Sequence, residues 1–135
     1  MKKKLSMPTN HNDVVLARIH PTTQVALKSE QTEEGMFIAM SEETLNDFAG
    51  ANPETYLREI ETIQDTLRRP DFVGVGTYIS FVRQYYSYER GMLVNRVVNV
   101  KPQDKGLYIV DWQDLSNTAE ISESEDGPIE FTRVV

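Results

Sequence analysis

The chain has 135 residues, a net charge of −7 and no cysteine. That length supports one domain with its own hydrophobic core, and the lack of cysteine excludes disulfides, thiol catalysis and cysteine-ligated metal sites. No apolar run approaches the roughly 18 residues of a membrane span, and residues 1–4 precede polar residues where a signal peptide needs an apolar region. These features predict a soluble, intracellular protein that does not bind membranes.

The positive charge of this acidic chain is concentrated in residues 68–112. That stretch has seven cationic and four acidic side chains, a net +3, whereas residues 1–67 and residues 113–135 each carry −5. An acidic protein repels nucleic acid at long range, so an anionic ligand would have to be held by this positive stretch. Residues 68–112 are therefore the first region in which to expect a site.

Residues 1–35 are predicted to form an N-terminal arm with possible short strands. β-Favouring residues at 14–19 and 24–29 indicate the candidate strands, and His20-Pro21 ends the first because a residue before proline avoids the helical region. The two histidines, His11 and His20, stand near no nucleophile motif and are interpreted as structural or incidental. With so few histidines and no cysteine, no metal site is predicted.

Two helices are predicted next, after an apolar run at residues 36–40 whose length favours a buried strand. Ser41, followed by two acidic residues, caps a short helix that ends at Gly50. A second helix starts at Asn52-Pro53 and ends before Pro70. Its apolar residues recur at helical spacing and form one stripe: Tyr56, Ile60, Ile63 and Leu67.

Four strands joined by short polar turns are predicted to follow, at residues 72–75, 78–86, 92–100 and 107–112. Such a series favours an antiparallel meander. The predicted fold is α+β, with two N-terminal helices packed on a four- or five-stranded antiparallel sheet, and residues 36–116 form this core. Residues 117–135 are predicted to be an acidic C-terminal tail, whose last apolar residues are able to add a final strand.

Two arginines on neighbouring predicted strands, Arg83 and Arg96, are the first candidates for anion binding. Guanidinium groups hold phosphate bidentately, and tyrosines stack on bases or orient a proton, so Arg68, Tyr78 and Tyr86 complete the set. A metal-independent ribonuclease needs such a cation beside an acid–base pair. The competing interpretation is that the arginines pair with the surplus acids and the tyrosines cover the sheet.

Three short motifs occur in order along the predicted helices and strands: Asn52-Pro53-Glu54, Pro70-Asp71-Phe72-Val73-Gly74 and Phe81-Val82-Arg83. Over residues 36–115 the chain thereby resembles the phage-associated barnase–EndoU–colicin–RelE-like nuclease domains. The resemblance implies RNA cleavage without a metal or cofactor. That family usually has a histidine near the end of its first helix. None stands here, so the resemblance implies that the general base is either lost or replaced by Asp47 or Asp111.

The leading hypothesis is a phage or mobile-element protein in the cytoplasm of a bacterial host, with an RNase-like scaffold that cleaves RNA without a metal. Its catalytic residues would be Arg83, Tyr86 and Asp47, and its substrate-binding residues Arg68, Tyr78 and Arg96. The alternative is a catalytically inactive acidic protein that binds a basic protein partner, for example to inhibit a host defence factor, or a virion accessory protein. An aspartate base repels phosphate and favours this alternative. The sequence predicts no oligomeric state.

Overall fold

The computed structural model describes residues 12–103, 105–116 and 130–134. Within these ranges the chain forms three helices and seven strands. In chain order they are β1 (Val14–Arg18), α1 (Pro21–Leu27), β2 (Phe37–Met40), α2 (Glu42–Ala51), α3 (Tyr56–Arg68), β3 (Phe72–Val75), β4 (Ile79–Ser87), β5 (Met92–Gln103), β6 (Gly106–Leu115) and β7 (Phe131–Arg133). Outside the described residues lie the first eleven positions of the predicted arm with His11, position 104, residues 117–129 of the predicted acidic tail, and Val135.

All seven described strands belong to one sheet, in the order β1-β2-β6-β5-β4-β3-β7. Neighbouring strands are antiparallel except β2 and β6, which run parallel. The prediction of two N-terminal helices on a four- or five-stranded antiparallel sheet is therefore wrong in the number of helices, the number of strands and the direction of one strand pair. The structure is a mixed α+β fold with three helices and a seven-stranded sheet.

The strands at the two ends of the sheet order, β1 and β7, account for most of this difference, because the sequence indicated both only as possible strands outside the predicted core. β1 pairs with β2, and β7 pairs with β3, where Thr132 lies opposite Val73. Strands of three to five residues have too few positions for a clear alternation of apolar and polar side chains. Their backbone hydrogen bonds are made only with the neighbouring strand, so their presence depends on pairing between residues far apart in the chain.

Helix α1 forms where the sequence indicated a possible strand at residues 24–29. Pro21 occupies the first helical position, where a backbone N–H would have no partner in any case, and the ring of His20 accepts a hydrogen bond from the following turn. The helix ends at Lys28, whose backbone is left-handed with φ of 52°. Its last two residues are buried in the core. Tertiary packing therefore outweighs the local β preference of this segment.

Helix α3 lies against one face of the sheet and packs on β1, β4 and β5. Its apolar stripe makes the contact, since Ile63 and Leu67 are fully buried and Ile60 packs against the same cluster. The helix begins at Tyr56, later than predicted, because residues 53–55 form a turn. Alternate residues of the strands complete this core, among them Leu16, Ile38, Met40, Val73, Ile79, Phe81, Val98, Val100, Leu107 and Ile109.

The strands β3 to β6 follow one another as an antiparallel meander, at the four places where the sequence indicated strands. The β4–β5 hairpin closes where Ser87 lies opposite Met92. Its turn contains Gly91, which has a positive φ of 63° and donates its N–H to the Ser87 carbonyl oxygen at 2.7 Å. Among the described residues, no helix is both long enough and apolar enough to cross a membrane.

Candidate functional site

The meander places Arg83 of β4 directly opposite Arg96 of β5. Both side chains start on the face of the sheet that α3 covers. Arg96 shares this face of β5 with the buried Val94 and Val98, which are each two positions away, and Arg83 lies directly opposite Arg96. From there the two guanidinium groups meet different partners. The structure therefore brings the two predicted phosphate binders side by side in the sheet without joining their charges in one site.

Arg96 is buried, with only 4% of its surface exposed. Its Nη1 donates to Oε2 of Glu59 at 2.8 Å, and its Nε and Nη2 donate to the two carboxylate oxygens of Asp114. The hydroxyl of Tyr85 donates to Oδ2 of Asp114 at 2.6 Å and accepts from Nη2 of Arg96 at 3.4 Å. We call these four residues the Arg96 network; they join the first turn of α3 to β4, β5 and β6.

The electrostatics of the Arg96 network favour the charged forms of Arg96 and Asp114. Burial opposes the charge of Arg96, but the hydrogen bond and charge of Asp114 and the charge of Glu59 outweigh it and raise the arginine pKa. Burial also opposes ionisation of Asp114, yet hydrogen bonds from Arg96 and Tyr85 lower its pKa below the ordinary 3.8. Burial, followed by the hydrogen bond to Asp114, raises the pKa of Tyr85 above 10.0. Tyr85 thus stays a neutral donor at neutral pH.

Arg83 lies at the other end of α3. Its Nη1 donates to the carbonyl oxygen of Arg69 at 2.9 Å, which satisfies a carbonyl just beyond the last turn of the helix. Arg68 is exposed in that last turn. Arg133 of β7 lies opposite Phe72, with its guanidinium carbon 5.6 Å from the ring centre of Phe72, and is therefore on the other face of the sheet from Arg83. We call Arg68, Arg69 and Arg83 the arginine cluster.

The remaining predicted site residues are dispersed. Tyr86 points to the opposite face of β4 from Arg83, because the two are an odd number of positions apart. Tyr78 precedes β4, about 16 Å along the strand from Arg83 at the usual rise per residue. Asp47 is exposed on α2, beside a shallow depression that also includes Asp111. The structure therefore brings Arg68 and Arg83 near one end of α3 and leaves Tyr78, Tyr86 and Asp47 apart from them.

A cavity of about 300 Å³ opens beside the Arg96 network, between α2, the start of α3 and the β4–β5 turn. Phe48 of α2 and Trp112 of β6 form part of its wall, with ring centres 4.9 Å apart in an edge-to-face arrangement. The charged groups that line it are Glu59, Arg90, Arg96 and Asp114. The sequence did carry one signal for this region. Arg96 occupies the apolar face of its strand, and a cation in that place requires buried carboxylate partners.

The tip of the β4–β5 hairpin exposes a group of large side chains. Tyr88 is 91% exposed, and its ring centre lies 5.1 Å from that of Tyr86, which is 49% exposed. Leu93 lies directly opposite Tyr86 across the hairpin and is 62% exposed. We call Tyr86, Tyr88 and Leu93 the hairpin patch. Arg90, in the turn between them, also lines the cavity, which lies on the opposite face of the hairpin from Tyr86 and Leu93.

Comparison with known proteins gives no assignment: no family model, no curated protein and no solved structure matches this chain.

Proposed function

We propose that this protein is a binding protein without catalytic activity, and that the hairpin patch is its contact surface for a basic protein partner. The observation that carries the proposal is the exposure of Tyr86, Tyr88 and Leu93 at one place. Aromatic side chains with exposed apolar neighbours are the commonest anchors of protein–protein interfaces. Scattered single apolar residues need no explanation, but adjacent ones at a projecting hairpin do.

The engagement of Arg96 argues against a catalytic role for the predicted residues. A phosphate-binding guanidinium has to reach the substrate, whereas Arg96 is buried and bonded to two carboxylates and a tyrosine. Displacing those carboxylates would leave them without a partner, at a cost of several kcal/mol. Asp47, the proposed base, is exposed on α2 in a depression with Asp111, and the hydrogen bonds of Arg83 and of the Arg96 network are made with other residues.

The net charge of the chain supports the choice of a basic partner. At −7, the protein attracts cationic surfaces and repels anionic ones, and long-range attraction speeds association with a partner of opposite charge. A second copy of this chain carries the same charge and is disfavoured for the same reason. A basic protein, including one that itself binds nucleic acid, matches the charge of this chain.

Replacing Tyr88 with alanine is expected to weaken binding of the partner by about 2–4 kcal/mol, roughly 30- to 1,000-fold in affinity. The side chain is almost entirely exposed, so its removal leaves the fold intact. The experiment captures partners from a bacterial lysate with immobilised protein, purifies the protein that is retained, and measures its affinity by calorimetry against the wild type and the variant.

The matched control is Val25→Ala, because Val25 is 74% exposed on α1 and belongs to no patch. The expected result is a basic protein that the wild type and Val25→Ala bind equally and that Tyr88→Ala binds weakly. Equal binding by all three proteins would refute the role of the hairpin patch. Assembly of the chain into a dimer that Tyr88→Ala abolishes would show that the patch serves self-association instead.

A second candidate function is metal-independent RNA cleavage at the arginine cluster. Its support is that the end of α3 and strand β4 bring Arg68, Arg69 and Arg83 together in an otherwise acidic protein, and that α2 and α3 precede the β3–β6 meander in the order that the RNase-like resemblance implies. Clustered guanidinium groups bind phosphates and stabilise the charge that develops during phosphodiester cleavage.

This candidate predicts cleavage of labelled RNA in EDTA that Arg83→Ala reduces about 100-fold or more. Arg58→Ala is the control, since Arg58 is an exposed arginine of α3 outside the cluster. Cleavage at the same rate by the wild type and Arg83→Ala would remove Arg83 from the site. An absence of cleavage by the folded wild type would exclude the candidate altogether.

A further inference from the structure

The geometry points to the cavity, on the opposite face of the hairpin from Tyr86 and Leu93, as a receptor for a cationic side chain, a guanidinium or an ammonium group, of the bound partner. This inference rests on the proposed function and deepens it, because it assigns the chemistry of a second contact on the same hairpin. Three features of the described residues carry it: an uneven charge in the Arg96 network, the aromatic wall of the cavity, and the position of Arg90.

The Arg96 network contains two carboxylates and one guanidinium, so it carries a net charge of −1. The surplus negative charge faces the cavity, because Glu59 and Asp114 both line it and their side chains remain 34% and 24% exposed. Arg96 is only 5% exposed in its side chain and has its donors turned to these acids. Of the Arg96 network, the carboxylate groups are thus more exposed to a ligand in the cavity than the guanidinium donors are.

The aromatic wall suits the same class of ligand. Trp112 and Phe48 both line the cavity. Indole and phenyl rings attract a cation, and they pack equally well against the methylene groups of a lysine or arginine. A volume of about 300 Å³ lies at the lower end of small-ligand pockets, which suits one long side chain better than a nucleotide.

Arg90 occupies the place that a partner's cation would take. It lines the cavity from the β4–β5 turn, is exposed, and is near enough to Asp114 to lower the pKa of that carboxyl group. With Arg90 included, the formal charges of the side chains that line the cavity sum to zero. A cation from the partner would displace the exposed side chain of Arg90 and restore the same balance of charge.

The test uses ethylguanidinium as the probe and the fluorescence of Trp112, which is the only tryptophan of the chain, as the signal. A saturable change is expected with a dissociation constant on the order of 1 mM, as befits a ligand of so few atoms. Sodium chloride at equal ionic strength serves as the blank. Glu59→Gln keeps a hydrogen-bond acceptor for Arg96 but removes the surplus charge, so it should weaken binding at least about fivefold.

Arg90→Ala should change affinity in the opposite direction and strengthen ethylguanidinium binding at least about threefold, since it removes the competing cation. This variant leaves the Arg96 network intact, so it remains informative if Glu59→Gln proves unstable. Glu61→Gln, an equal charge change at an exposed position of α3 that does not line the cavity, is the control and should bind as the wild type does.

Two results would overturn the inference. One is a signal that does not saturate, or that Glu59→Gln and Arg90→Ala leave unchanged. The other is tighter binding of adenosine monophosphate than of ethylguanidinium, weakened by Arg90→Ala, which would make the cavity an anion site. If either result occurs while Tyr88→Ala still weakens partner binding, the inference is refuted and the proposed function stands. If Tyr88→Ala leaves partner binding unchanged while the cavity still binds ethylguanidinium, the proposed function is refuted instead.

Discussion

Replacing Arg96 with alanine is expected to lower the free energy of unfolding by about 3 kcal/mol. Arg96 is the cation that Glu59 and Asp114 share, and removing it leaves two carboxylates with only the exposed Arg90 near Asp114 to offset their charge. Losses for a broken buried pair run to about 5 kcal/mol, but here both acids still reach solvent, so the lower end of the range applies. Urea denaturation followed by far-ultraviolet circular dichroism measures the change.

Arg83→Ala provides the comparison at the residue directly opposite. Arg83 is half-buried and donates to one helix-terminal carbonyl, so its loss should cost less than about 1 kcal/mol. Arg96→Ala would then lower the free energy of unfolding at least about three times as much as Arg83→Ala, although the two arginines lie directly opposite each other. Equal losses for the two variants would contradict the conclusion that Arg96 has a structural role that Arg83 lacks.

Replacing Gly106 with alanine is expected to lower the free energy of unfolding by about 2–3 kcal/mol. An added Cβ at this position would come within 3.0 Å of three carbons of the Phe37 ring, far inside van der Waals contact. That ring is 1% exposed and packs edge-on against Tyr108, with ring centres 5.8 Å apart. It has no space to move aside, so β2 and β6 would have to separate where they pair in parallel.

Gly50→Ala is the matched control and should have the opposite sign. Gly50 lies in helix α2, and a Cβ there would meet no atom within 4 Å. Alanine favours the helix over glycine by about 0.5–1 kcal/mol, so this variant should be more stable than the wild type by that amount. Thermal unfolding of both variants beside the wild type gives the result. A neutral Gly106→Ala would mean that the packing of Phe37 is looser than the structure indicates.

The Arg96 network also explains how a binding surface is held in place. It fixes the start of α3 to three adjacent strands, two of which form the hairpin that carries Tyr86, Tyr88 and Leu93. A surface held on a rigid hairpin loses little conformational entropy when a partner binds. The arginine that the sequence suggested as a ligand-binding residue thus supports the proposed interface indirectly, by positioning the elements around it.

Local periodicity and local chemistry of the sequence determined part of this fold. The stripe of Ile60, Ile63 and Leu67 specified the buried face of α3, and Pro70 specified where that helix stops, because both signals act within a few residues. The four strands of the meander were visible for the same reason, as runs of β-branched and aromatic residues separated by turns. Ser41 was identified as an N-cap, and its hydroxyl oxygen does accept from the backbone N–H of Thr44.

Only the tertiary structure decided the rest. Strands β1 and β7, which the sequence indicated only as possible strands, join the sheet through pairing with distant strands, and the parallel contact of β2 with β6 joins segments separated by two helices and three strands. Likewise, Arg96 could be recognised as a cation on an apolar face, but its partners Glu59 and Asp114 stand 37 and 18 positions away. Charge pairs and edge strands depend on which segments meet in space, and the short-range pattern of a single sequence does not contain that information.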